Sequence, residues 1–92
     1  MGTLYKVAKD VHCKIVKNEA VVVHFVTGNY YVLDPVSAFL WETVSKCPSS
    51  YESLVVAVLE EYETERDAIL SDVKNFCDYM VAEKLVETVP TA

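Results

Sequence analysis

From Val11 to Leu33 the apolar and polar positions follow the periods of β-strands. Val11 to Lys17 alternates, Lys17-Asn18-Glu19 predicts a turn, and Ala20 to Val26 is a near-continuous apolar run rich in β-branched residues. Thr27-Gly28-Asn29 predicts a second, hairpin turn, with Gly28 as the residue that accepts a positive φ. Tyr30-Tyr31-Val32-Leu33 then predicts a third strand. The expectation is a three-stranded antiparallel meander whose first and third strands are edges unless another element covers them. Tyr31 and Leu33 should face the helices and Tyr30 and Val32 the opposite side, because side chains alternate along a strand.

The period changes at Asp34-Pro35. Asp34 suits an N-cap and Pro35 the first helical position, where its missing N–H costs nothing. Val36, Phe39, Leu40, Trp41 and Val44 supply an apolar stripe, and Cys47-Pro48 should stop the helix after Lys46. A second helix is expected to open at Ser49, three residues before Glu52 as in a capping box. Its face is Tyr51, Leu54, Val55, Val58, Leu59 and Tyr62. A third is expected from Thr64, with Asp67 as the box acid and a stripe of Ile69, Leu70, Val73, Phe76, Cys77, Met80 and Val81, after which Leu85 and Val86 close onto the core. Three strands followed by three helices predict an α+β, winged-helix-like domain spanning residues 1–92, with the helices on one sheet face.

Composition agrees with a compact chain: 52% of the 92 residues are hydrophobic and 24% charged. A core of this size needs no metal or disulfide staple, but leaves little volume for a deep cleft, so surface binding is the expectation. No apolar run approaches the ~20 residues of a membrane span and the first nine residues do not resemble a targeting signal, so a cytoplasmic protein is expected. Cys13, Cys47 and Cys77 are odd in number and widely spaced, which suits reduced thiols rather than a disulfide framework or zinc site.

Candidate chemistry is sparse. His12 and Cys13 are strand neighbours pointing to opposite faces and cannot form a thiol–imidazole pair. His24 lies in an apolar run and reads as a hydrogen-bonded structural histidine, and Cys77 as a small core hydrophobe. Glu60, Glu61, Glu63 and Glu65 read as a solvated face. With two glycines there is no phosphate-cradling loop. No enzyme activity, metal or cofactor is expected.

Charge bears on a nucleic-acid reading. Residues 1–33 hold four lysines against Asp10 and Glu19, net +2, whereas residues 34–92 hold twelve acids against four bases, net −8. A DNA-reading winged helix would place its third helix in the major groove. Here that helix carries Glu65, Asp67, Asp72, Asp78 and Glu83 against Arg66, Lys74 and Lys84, a poor match for a polyanion. The strand Tyr30 to Leu33, free of proline and lysine, is instead suited to accept an added strand.

Thr27-Gly28-Asn29-Tyr30-Tyr31-Val32-Leu33-Asp34-Pro35, followed by Ala38 and Leu40-Trp41-Glu42, resembles the PqqD-like family, also called RiPP recognition elements. Leu54, Leu59, Tyr62, Asp72-Val73, Phe76 and Lys84-Leu85-Val86 extend the resemblance over about residues 7 to 87, with Lys84 where many relatives have glycine. It implies a non-catalytic domain that binds the leader of a ribosomally made precursor peptide, added as a strand beside the third strand and lying against the third helix. On that basis the peptide-binding residues expected are Asn29, Tyr30, Tyr31, Val32, Leu33, Leu70, Val73, Lys74 and Cys77, with Lys74 available to a leader carboxylate. The Thr-Gly-x-Tyr-Tyr-x-Leu form looks more like the separate leader-binding proteins of lasso-peptide pathways than like the peptide chaperones of pyrroloquinoline quinone biosynthesis. The partners implied are a precursor leader peptide and a leader peptidase, not nucleic acid or membrane.

Overall fold

The computed structural model describes residues 2–16 and 19–91. In chain order the elements are β1 (Gly2–Val7), β2 (Val11–Val16), β3 (Glu19–His24), β4 (Tyr30–Leu33), α1 (Pro35–Lys46), β5 (Ser49–Ser50), α2 (Tyr51–Glu61), α3 (Arg66–Ala82) and β6 (Val86–Thr91). The expected meander is present as an antiparallel sheet of order β2-β3-β4, and the three helices follow. Ala20, Val22 and His24 of the central strand turn inward and are buried, while Val21 and Val23 between them are half-buried on the outer face.

β3 ends earlier than the expected Val26. The His24 carbonyl accepts the Gly28 N–H at 2.8 Å and the His24 N–H donates to Asn29 at 2.9 Å, which closes the hairpin and leaves Phe25 and Val26 in the turn. Gly28 has φ +79°, the conformation expected of it. His24 is a buried structural histidine whose Nδ1 accepts the Val26 N–H at 3.2 Å. The expected turn at Lys17-Asn18-Glu19 includes two residues outside those described.

A second sheet, of order β5-β1-β6, is built from segments to which the hydropathy pattern assigned no strand. β1 pairs with β6 from Gly2 opposite Thr91 to Val7 opposite Val86. Leu85 and Val86 are buried where this sheet meets the helices, as expected.

Helix starts follow local chemistry, with two corrections. Asp34 caps α1 as expected, its carboxylate accepting the Ser37 N–H at 2.8 Å. The cap of α2 is Ser50 rather than Ser49, accepting the Ser53 N–H at 3.1 Å. Ser49 is taken up by pairing with Tyr5 in β1. α3 begins at Arg66 after Glu65, without a side-chain cap, instead of at Thr64. Tyr62 and Glu65 are both extended, so the connection between the helices absorbs Thr64.

The end of α3 is tightly specified. Leu85 N–H donates to Met80 C=O at 2.9 Å and Lys84 N–H to Val81 C=O at 3.0 Å. That pair of bonds, with Lys84 at φ +63°, is a Schellman motif in which lysine occupies the left-handed position usually given to glycine. Met80 and Leu85 supply its apolar contact, 2% and 0% exposed. The core joins Val22 to Leu40 and Val44 of α1, Leu54, Val55 and Val58 of α2, and Val73, Phe76 and Cys77 of α3.

Candidate peptide-binding site

β4 is an edge: among the described residues no strand lies beyond it in the sheet. Its register places Val22 opposite Tyr31 and Ala20 opposite Leu33. With the His24 to Asn29 bond fixing the phase, the alternation of an antiparallel ladder makes these the pairs that exchange hydrogen bonds. Tyr30 and Val32 therefore turn their N–H and C=O groups away from β3. Two donors and two acceptors face outward along this edge.

Beside that edge runs a groove of about 900 Å³. One wall is Tyr30 to Leu33, and the floor includes Pro35, Val36 and Leu40 of α1. The other wall is Asp72, Asn75, Phe76 and Tyr79 of α3, one helical face by their spacing of three and four residues. One turn further, the Tyr31 hydroxyl donates to Glu83 Oε1 at 2.8 Å, and the Tyr31 and Tyr79 rings meet edge to face at 6.1 Å. These contacts tie β4 to the C-terminal end of α3. The carboxylate as acceptor raises the Tyr31 phenol pKa above its usual 10.0, because ionisation would place two negative charges side by side.

The residues expected to bind peptide separate into two groups. Tyr30, Tyr31, Val32 and Leu33 line the groove, with Tyr30 71% and Val32 55% exposed and Leu33 buried toward the helices. Asn29 closes the hairpin, its N–H donating to Thr27 Oγ1 at 3.2 Å. Leu70, Val73, Lys74 and Cys77 do not line this groove. Val73 and Cys77 are 0% and 2% exposed in the core. The Leu70 carbonyl accepts the Tyr51 hydroxyl at 3.0 Å, which directs that part of α3 toward α2. Lys74 is exposed and paired with Asp78 at 3.1 Å, a contact that raises its pKa.

The helix wall was missed for a physical reason. The most apolar stripe of α3 is the one the core consumes, and the face beside a strand edge is the mixed one adjoining it. Asp72, Asn75, Phe76 and Tyr79 carry a recognisable helical spacing, but only their position against β4 distinguishes them from an ordinary solvated face.

Burial pushes the Cys77 pKa up to about 11, with the Asp78 charge adding to the shift. The His12 ring stacks on Phe25 with centroids 4.8 Å apart. A further apolar hollow of about 660 Å³ lies under the β2 edge, between Cys13 and Ile15 on one side and Ala38, Phe39 and Glu42 on the other. No helix of the described residues is long and apolar enough to cross a membrane.

The family model described as Coenzyme PQQ synthesis protein D (PqqD) matches residues 19–86. The solved structure of TbiB1 in complex with the TbiA(beta) leader peptide is similar at a TM-score of 0.79 and 27% identity, over 89% of this chain and 94% of that one. A lasso peptide synthetase B1 complexed with the leader peptide is similar in fold, with a TM-score of 0.74 and 16% identity over 94% of this chain and 98% of that one. No curated protein sequence matches the chain.

Proposed function

The chain belongs to the PqqD family, and from that membership we propose that it is a non-catalytic recognition protein that binds the leader of a ribosomally synthesised precursor peptide by strand addition to β4. The carrying observation is the outward N–H and C=O groups of Tyr30 and Val32 beside an open groove. The likeness to TbiB1, a protein solved with a leader peptide bound, supports leader binding, and the Thr-Gly-x-Tyr-Tyr-x-Leu form of residues 27–33 favours the lasso-peptide pathway over pyrroloquinoline quinone biosynthesis.

Energetics assign separate tasks to edge and groove. Four edge hydrogen bonds at about 1 kcal/mol net each do not offset the ordering of a peptide at about 1–2 kcal/mol per residue. Micromolar affinity requires roughly −8 kcal/mol. Side chains of the leader must therefore enter the groove and cover apolar surface on Tyr79 and Val36, while the edge sets direction and register.

The finer part of the proposal is delivery of the bound leader to a leader peptidase. The outer sheet face supports a contact with a second protein. No helix covers it among the described residues, and Val16, Tyr30 and Val32 stand exposed there at 48%, 71% and 55%.

Titration of candidate leader peptides followed by backbone amide NMR tests the binding mode. Shifts should concentrate at residues 29–33 and 72–79. A peptide that binds without moving either segment refutes strand addition at β4.

A further inference from the structure

Binding at this groove carries an electrostatic condition. Among the described residues its lining includes two carboxylates, Asp34 and Asp72, and no lysine, arginine or histidine. Three acids elsewhere pair with a lysine, Glu42 with Lys46, Asp78 with Lys74 and Glu87 with Lys6, while others such as Glu60 and Glu61 stand in solvent outside this groove. Asp72 has no hydrogen bond or ion pair among the described residues. Asp34 uses one oxygen to cap α1 and keeps the other. The nearest cation on α3, Lys74, is exposed outside the groove and engaged with Asp78.

Water now solvates these carboxylates. A peptide strand laid on β4 with its side chains against α3 displaces part of that water, and a carboxylate that loses solvent without gaining a partner opposes binding. An acidic residue at the same place adds repulsion, and a lysine or arginine replaces the lost solvation. We infer that the groove between β4 and α3 selects peptides carrying a basic side chain that meets Asp72, with Asp34 reinforcing the field. This preference holds only if the peptide occupies the groove as proposed, and it reverses the sign of the pairing expected for Lys74.

Geometry limits where the basic residue falls. Tyr79 touches Tyr31, and Asp72 lies seven residues back along α3, about 10 Å by helical rise. About three strand residues at about 3.3 Å each cover that distance. Side chains two apart share a face, so the basic residue belongs to the half of the peptide that also places its anchors in the groove.

The test selects a displayed library of random dodecapeptides on the wild-type chain and on Asp72→Lys, then measures binding of N-acetylated synthetic versions of the enriched sequences. Acetylation removes the terminal ammonium as an alternative cation. Wild-type selection should enrich lysine or arginine at one position and Asp72→Lys selection should enrich aspartate or glutamate there. Asp72→Asn should weaken the basic peptides about two- to fivefold at low salt, the range of a solvent-accessible ion pair. Asp34→Asn, which keeps the cap, should act in the same direction.

Glu60→Gln on α2 makes the same change in net charge outside this groove and should leave affinity unaltered. Peptides that shift the amides of residues 30–33 but show no basic preference, or weaken equally with Glu60→Gln, overturn the inference and leave the groove reading intact. Failure to enrich any binder, or binders that leave those amides unmoved, overturns both.

Discussion

Replacing Val32 with proline separates the edge from the fold. The Val32 N–H points away from β3, so proline removes a donor that the sheet does not use, and the side chain is 55% exposed. Edge strands tolerate proline when the missing N–H is on the open side, and the preceding Tyr31 is already in a strand, the conformation proline imposes on its neighbour. An added strand would lose one of its four backbone hydrogen bonds and leave a leader carbonyl facing a proline ring. Loss of a neutral bond with its partner left desolvated costs about 1–3 kcal/mol, or a dissociation constant raised about five- to 150-fold.

Fluorescence anisotropy of a labelled leader peptide measures the loss, and circular dichroism with thermal unfolding checks the fold. Tyr31→Pro is the matched control, because the Tyr31 N–H is spent on β3 and its removal should unfold the hairpin. Wild-type affinity in a folded Val32→Pro variant would refute strand addition on β4 and direct attention to the free edge of β2.

Three further outcomes are expected. Lys84→Gly should stabilise the chain by about 0.5–1 kcal/mol in urea denaturation, since relief of left-handed strain exceeds the entropy glycine adds to the unfolded chain; a loss of stability would mean that the lysine side chain contributes more than its backbone costs. Asp34→Ala should cost about 1 kcal/mol through the lost cap, while Asp34→Asn should stay near wild type, and equal losses would show that charge rather than capping matters there. The Cys77 thiol holds its proton more tightly in the folded chain, at about 11 against an ordinary 9.0, so its contribution is fully present below pH 9 and is lost as pH rises toward 11. At pH 8 Cys13 and Cys47, both exposed, should alkylate while Cys77 does not; rapid labelling of Cys77 in the folded chain would contradict its burial.

Much of this molecule is encoded over short distances along the chain. Alternation from Val11 to Leu33, Gly28 in the turn, and Asp34-Pro35 ahead of an apolar stripe each specify an element through contacts within a few residues. The hairpins, α1, the inward side of β4 and the edge status of that strand follow from those local rules. The resemblance carried by the same segments led to a PqqD relative, with the match found over residues 19–86.

Tertiary structure decided what depends on distant partners. β1 and β6 form because residues 2–7 and 86–91 pair across the chain, and no local periodicity announces a strand whose partner is about 80 to 90 residues away. The pairing of β1 with β5 takes up Ser49, so the cap of the second helix is Ser50. The helix wall of the groove was decided the same way. Hydropathy identifies Leu70, Val73 and Cys77 as apolar, but packing sends Val73 and Cys77 into the core and ties the Leu70 carbonyl to Tyr51 of α2, leaving Asp72, Asn75 and Tyr79, with the edge of the largely buried Phe76, beside β4. A helix's own sequence fixes which residues share a face; the rotation at which it docks decides which face the peptide meets.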